Sequence, residues 1–178
     1  MALTQWTTSI DAGDRMLLWG VTQTNLGSTL EGSTLRLSAK KADFFVERYG
    51  DTPYEKRLTG FEVQLEAILL QKDMDNLATV LLGQKNTSVV DIDPRPRKLT
   101  GAMLELRPVG AADNSNSIII FNCVPIPDVE CPFSVRKQEA FRIRFEGVVD
   151  ENASGAIRLL RIGDPDTDAT KAYFPNPA

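Results

Sequence analysis

From Leu35 the chain alternates apolar and polar residues with a period of two. Leu35, Leu37 and Ala39 stand against Arg36, Ser38 and Lys40, and a second run passes through Phe44, Val46 and Arg48. Successive side chains of a strand point to opposite faces, so both runs read as strands. The clearest strand spans residues 61–70. There Phe61, Val63, Leu65, Ala67 and Leu69 share one face and Glu62, Gln64 and Glu66 the other, which predicts one packed and one wet surface. Between these segments Gly50-Asp51-Thr52-Pro53 has turn chemistry, since Gly tolerates positive φ and Pro fixes its own, and polar residues continue to Thr59-Gly60. Residues 50–60 therefore read as a loop. Residues 1–34 show little periodicity and are rich in Thr, Ser, Gly and Asn, so they read as an arm ordered by a neighbour.

One helix is expected, over residues 74–82. Asp73 is its N-cap, Leu77, Val80 and Leu81 follow helical spacing, and Gly83 is its left-handed C′ residue. The segment Asp93-Pro94-Arg95-Pro96-Arg97 should be extended, because each Pro pushes its predecessor out of the helical region. Lys98-Leu99-Thr100-Gly101 then leads into a strand from Ala102, much as Arg57-Leu58-Thr59-Gly60 leads into Phe61, which suggests one local geometry used twice. Residues 118–124 are apolar and β-branched, suited to a strand buried on both faces, and the Pro-rich VPIPDVECP after them is expected outside any central ladder. FRIRFEGVV alternates Phe141, Ile143 and Phe145 with Arg142, Arg144 and Glu146, and residues 156–162 form a last strand. The expected fold is mainly β, a β-sandwich or open barrel of about six to eight strands with one short flanking α-helix. Three parts follow: an arm over 1–34, a β domain over 35–163, and a polar tail over 164–178.

Composition narrows the chemistry. The chain has 178 residues, the size of one ordinary domain, and 20 Lys+Arg against 24 Asp+Glu give a net charge of −4, which disfavours an electrostatic nucleic-acid or anionic-membrane binder. It contains no histidine, so Ser-His-Asp and Cys-His catalysis and His-ligated metals are excluded within the chain. Cys123 and Cys131 are too few for a disulfide scaffold or a four-thiolate site and read as free thiols. No basic and apolar leader opens the sequence and no apolar run reaches membrane-helix length, so a soluble protein made in the cytoplasm is expected.

Motifs that would carry catalysis fail one by one. Asp164, Asp166 and Asp168 have the spacing of a calcium loop, but Ala169 replaces its Gly and Pro175 its bidentate Glu. Asp73 with Asp75 is explained by a helix start, and Asp91 with Asp93 by a turn before Pro94. No phosphate-cradling or dinucleotide Gly motif occurs. Asn86-Thr87-Ser88 and Asn152-Ala153-Ser154 match a glycosylation sequon without a secretion signal, and Arg95, Arg97 and Lys98 lack the interleaved aromatics of a single-strand binder. No enzyme activity, metal or cofactor is expected.

The segment VERYGDTPYEKRLTGFEVQLEAILLQKDMDNLATVLLG, Val46 to Gly83, resembles the signature stretch of the tail tube (major tail) proteins of long-tailed bacteriophages. A strand enters a turn at Gly50 and Pro53, a charged loop ends in Thr59-Gly60, an alternating strand follows, and a short helix closes at Leu82-Gly83. KQEAFRIRFEGVVDEN, Lys137 to Asn152, is similar to that family's late strand. The resemblance implies six-fold rings stacking into a hollow tube for genomic DNA, in a virion tail assembled in the host cytoplasm. It also implies a β-sandwich whose inner strands join those of neighbouring subunits into one barrel. The partners would be further copies, other tail proteins (terminator, baseplate or distal tail, tape measure) and DNA in non-sequence-specific passage, with no membrane.

On this reading Glu62, Gln64 and Glu66 face the lumen, where carboxylates would repel phosphate, and Arg142 and Arg144 pair with them between strands or between subunits. Gly50, Asp51, Pro53, Tyr54, Lys56 and Arg57 belong to an inter-ring contact loop. Two alternatives differ in class. One is another ring or tube component, such as a tail terminator, a baseplate part or a secretion tube subunit. The other is a monomeric β-sandwich module that binds carbohydrate or a host surface through Trp6, Trp19, Tyr49 or Tyr54.

Overall fold

The structure, a computed structural model, describes residues 3–11, 15–20, 22–29, 33–69, 75, 78, 81–86, 89–92, 95–96, 98–109, 116–130, 141–151 and 157–163. The protein is mainly β and its strands pair antiparallel. In chain order the strands are β1 (Leu3–Asp11), β2 (Arg15–Trp19), β3 (Thr24–Ser28), β4 (Thr34–Phe45), β5 (Pro53–Leu69), β6 (Gln84–Asn86) and β7 (Val89–Asp91). They continue with β8 (Ala102–Pro108), β9 (Ile118–Glu130), β10 (Phe141–Gly147), β11 (Asp150–Glu151), β12 (Ile157–Arg158) and β13 (Leu160–Ile162). One nine-stranded sheet has the order β1-β4-β5-β10-β9-β8-β2-β3, with β13 paired to β9, and β6-β7 and β11-β12 form separate small ladders.

The period-two faces read from the sequence meet in one core. Leu17, Leu26, Leu35, Val63, Leu65, Leu104, Leu106, Ile120, Ile143 and Phe145 form a single buried cluster drawn from β2, β3, β4, β5, β8, β9 and β10. Strands from one end of the sheet order to the other thus contribute to one cluster. Thr29, just past β3, bridges to Leu69 at the end of β5, and the N–H of Ile68 donates to Ser33 Oγ at 3.0 Å. Ile118, Ile119 and Ile120 are all buried, as expected of a strand covered on both faces. Burying such side chains contributes about 1.5–3 kcal/mol each against conformational entropy.

Several sequence expectations change. Residues 1–34 are not merely an arm: they supply β1, β2 and β3, and Leu17, Leu18 and Leu26 enter the protein interior. Thr-rich segments pass for loops by composition but suit a pleated strand through β-branching. The loop read over residues 50–60 is a loop only to Thr52, because β5 begins at Pro53 and pairs with β4 from Pro53 opposite Phe45 onward. Arg57-Leu58-Thr59-Gly60 is therefore strand, whereas Lys98-Leu99-Thr100-Gly101 is irregular, so the two similar sequences do not share a geometry. VPIPD lies inside β9, with Pro125 opposite Phe145. Past Cys123 β8 no longer flanks β9, which among the described residues then pairs only with β10, the setting that tolerates proline. The single late strand divides into β12 and β13 around Leu159.

The helix expected over residues 74–82 falls largely outside the described residues, of which Asp75 and Ala78 have helical conformation. Its exit is described. The Gly83 N–H donates to the Ala78 carbonyl at 2.8 Å, and the left-handed residue is Leu82 (φ 55°), not Gly83. Gly83 serves another need, since a Cβ there would stand 2.8 Å from Val90 Cγ1. The calcium-like aspartates, Cys131 and the tail over 164–178 lie outside the described residues. No helix among the described residues is long and apolar enough to cross a membrane.

Candidate functional site

The outer face of β4, β5 and β10 carries the polar half of the alternation. Thr34 stands opposite Glu66 and Arg36 opposite Gln64 on β5, and on the other side Arg144 stands opposite Glu66 and Glu146 opposite Gln64. Glu62, Gln64 and Glu66 thus share one half-exposed row, as their spacing requires. Gln64 Nε2 donates to Glu62 Oε1 at 2.7 Å, Lys40 Nζ lies 2.9 Å from Glu62 Oε2, and Arg142 Nε lies 3.1 Å from Glu66 Oε1. Arg142 pairs diagonally, because its direct neighbour on β5 is Ile68. Such half-exposed pairs contribute about 0–1 kcal/mol each and set cross-strand register more than stability. Glu62, Glu66 and Glu146 share this surface with Arg36, Lys40, Arg142 and Arg144, so the charges nearly cancel.

Beyond the core, β4 and β5 continue as a hairpin that ends in a 3₁₀ turn at Glu47–Tyr49. Gly50 (φ 60°) makes the turn that follows, and its N–H donates to the Glu47 carbonyl at 3.3 Å. A register shift at Lys40/Lys41 marks where the hairpin leaves the core, and the Thr59 hydroxyl donates to the Lys40 carbonyl there. Phe61, expected on the packed face, is 51% exposed: its parity is right, but the core has ended at Val63. With Phe44, Phe45, Val46, Tyr49, Tyr54 (66% exposed) and Leu58 it gives this hairpin a large apolar surface.

The residues read as a contact loop lie in this hairpin. Gly50 and Asp51 are at its exposed tip and Pro53 opens β5. Tyr54 stacks on Tyr49 with centroids 5.8 Å apart, and the two frame, with Thr52 and Pro53, a recess of about 280 Å³. Lys56 Nζ lies 4.0 Å from Asp43 Oδ1. Arg57 grips Glu55 with Nε to Oε1 at 2.6 Å and Nη2 to Oε2 at 3.1 Å, and its guanidinium lies 5.1 Å from the Phe44 ring centroid. These hydrogen bonds hold the Glu55 carboxyl below its ordinary range and push the Arg57 guanidinium up.

The edge of the sheet beside this hairpin is β1. It pairs with β4 from Leu3 opposite Ala42 to Asp11 opposite Thr34 without a register shift. Its sequence LTQWTTSID has no Lys, Pro or Gly, and Asp11 is its one charged residue. Among the described residues no Lys, Pro or register shift blunts this edge and no second strand pairs with it.

Sequence reasoning missed one cluster altogether. Glu105 on β8 is 1% exposed, accepts from Arg107 Nε at 2.9 Å and from Gln23 Nε2 at 3.1 Å, and sits between Leu18 and Ile119 on the neighbouring strands. Two-residue spacing in Leu104-Glu105-Leu106-Arg107 was the available signal. Nearby, the Arg158 guanidinium lies 4.2 Å from the Phe121 ring centroid while its Nε donates to Asp150 Oδ2 at 2.5 Å. Cys123 is buried, and burial together with the charge of Glu146 pushes its thiol pKa well up, so it is not a nucleophile at neutral pH. No group of His, Cys, Asp or Glu among the described residues is arranged to hold a metal.

Fold and surface together define an antiparallel β protein with a charge-balanced sheet face, an apolar hairpin and an open edge. No protein-family model matches the chain, and no curated protein matches it.

Proposed function

We propose that this chain is the tail tube subunit of a long-tailed bacteriophage, a virion structural protein whose copies assemble into stacked six-fold rings. The observation that supports the reading is the place of β1 at the end of the sheet order, where it pairs with β4 without a register shift and, among the described residues, has no second neighbouring strand. In a ring, the next copy's strands would extend the sheet across the interface. The contact is heterologous, and a rotation that closes gives a ring. Within each chain, the Thr29–Leu69 bridge supports a partly closed barrel or sandwich around the core cluster. If each of six chains gives four strands about 4.8 Å apart and tilted about 40°, the joint barrel is on the order of 150 Å around and about 50 Å across, wide enough for duplex DNA.

Glu62, Gln64 and Glu66 then face the lumen, in a lattice with Arg142 and Arg144 that offers DNA a hydrated, nearly neutral wall. The hairpin with Gly50, Asp51, Pro53, Tyr54, Lys56 and Arg57 reaches the next ring, where its apolar surface is covered. Terminator, distal tail or baseplate, and tape measure proteins would meet the same surfaces at the tube ends and in its bore. The protein does no catalysis and needs no cofactor in this role.

A second reading, a monomeric module for carbohydrate or host surfaces, is favoured by the exposed Tyr49–Tyr54 stack. Trp19 does not serve it, because that ring packs 5.6 Å from Phe145. Proline substitutions in β1 separate the two. Adjacent N–H groups of a strand point to opposite sides, so of Thr7→Pro and Thr8→Pro one breaks the ladder to β4 and the other blocks only the open edge. The tube reading expects the variant that keeps wild-type stability to stay monomeric in sedimentation velocity. Assembly by that variant, or a wild-type monomer that binds sugar, contradicts it.

A further inference from the structure

β9 changes neighbours at Cys123. Up to that residue β8 flanks it, with Ala102 opposite Cys123, and before Ala102 the irregular residues 98–101 draw away from it. The two backbones are still close at Gly101, where an added Cβ would stand 3.1 Å from the Cys123 carbonyl oxygen. Beyond that point a recess of about 540 Å³ opens between them, lined by Lys98, Leu99 and Thr100 on one side and by Val124 and Ile126 on the other. Leu99 is exposed beside it. A strand margin that borders a partly apolar recess is a place where another extended chain can add.

The ladder to β10 fixes which way each backbone group of β9 points. The Val148 N–H donates to the Asn122 carbonyl at 2.8 Å, and the register sets Glu146 opposite Val124 and Phe145 opposite Pro125. Hydrogen-bonded and non-bonded pairs alternate along an antiparallel ladder, so Asn122 and Val124 turn their N–H and C=O groups toward β10. Cys123 and Pro125 turn theirs to the side that β8 leaves. Position 125 is therefore where an added strand needs a donor, and proline has none. The ladder to β10 loses nothing by it, since Pro125 and Phe145 form a non-bonded pair. Pro127 removes another N–H from the same stretch, whereas β1 contains no proline.

We infer that Pro125, with Pro127, bars strand addition at this margin, so that the β9 side of the sheet refuses a strand of a second copy and pairing between copies is left to β1. The bar concerns the single chain, and only the role it leaves to β1 rests on the ring reading.

The test restores the missing donors in the full-length protein with Pro125→Val and Pro127→Val together, valine being suited to a strand. The substitutions are made in whichever of Thr7→Pro and Thr8→Pro keeps wild-type stability, so that association through β1 is absent. In sedimentation velocity the proline-free protein should gain a concentration-dependent increase in mass of about twofold or more over its monomeric parent. Ile126→Val, which changes the same stretch without adding an N–H, should stay at the parent's mass. A proline-free protein that keeps the parent's urea midpoint and remains monomeric overturns the inference, and so does equal association by the Ile126→Val control. If the valine variant loses the parent's midpoint, Pro125→Ala restores the same N–H without β-branching and is judged by the same two outcomes. A wild type that is itself monomeric at every concentration contradicts the ring reading and leaves this test intact, because the substitutions are then compared with wild type directly.

Discussion

Replacing Arg107 with methionine strands the carboxylate of Glu105, which is 1% exposed and sits between Leu18 and Ile119. Its Oε2 keeps the Gln23 amide at 3.1 Å, but Oε1 loses its partner at 2.9 Å. Breaking a buried ion pair from one side costs about 3–5 kcal/mol, and the Arg107 side chain is 31% exposed, so some water reaches the site and the lower end, about 3 kcal/mol, applies. Replacing Glu105 with methionine is cheaper, about 1 kcal/mol, because a guanidinium already a third in solvent can turn outward. The double variant removes both desolvation costs and should lie within about 1 kcal/mol of wild type, a coupling of about 3 kcal/mol. Urea unfolding followed by the emission of Trp19, which packs against Phe145 in the core, reads all four proteins. With a slope of about 2 kcal/mol per M, Arg107→Met should lower the midpoint by about 1.5 M and Glu105→Met by about 0.5 M. Equal losses in the two single variants, or a double variant as unstable as their sum, would refute the assignment of Glu105 as a buried charge that depends on Arg107.

Two further outcomes follow from the core. A Cβ on Gly147 would stand 2.9 Å from Val63 Cβ and 3.1 Å from Ile120 Cγ2, so Gly147→Ala should cost about 1–3 kcal/mol in a thermal melt, and a neutral result would contradict the close approach of β10 to its neighbours. Burial raises the Cys123 thiol above its ordinary value of 9.0, so the folded state holds that proton more tightly than the unfolded one. Stability should then be flat below about pH 9 and fall above it, at up to about 1.4 kcal/mol per pH unit, and Cys123→Ala should remove that slope. Native protein should also resist alkylation at Cys123 until it unfolds.

Strand positions that pack on the core were legible because burial enforces period two: residues 63–69 and 142–146 kept the faces their spacing predicted, and of the run expected to be buried on both faces residues 118–120 are. Legibility failed where a strand leaves the core. The hairpin segment from Pro53 to Gly60 is wet on both faces, so its sequence loses alternation and passes for a loop. β1 is a Thr-rich edge strand held by its ladder to β4, and backbone hydrogen bonds leave little mark on residue type. Proline in β9 misled because a sequence does not show that β8 stops short of that stretch. At the candidate surface, the row Glu62, Gln64, Glu66 and the alternation of Arg142 and Arg144 were both readable. Their meeting across β5, and the arrival of Arg36 on the other side, depend on the sheet order β4-β5-β10.

The central claim is that copies of this chain close into rings and stack. Negative-stain electron microscopy of the purified protein, imaged dilute and again after concentration at physiological salt, tests it most directly. The account predicts six-fold rings or hollow tubes whose inner barrel is about 50 Å across. Particles that remain single and ring-free at every concentration would contradict it.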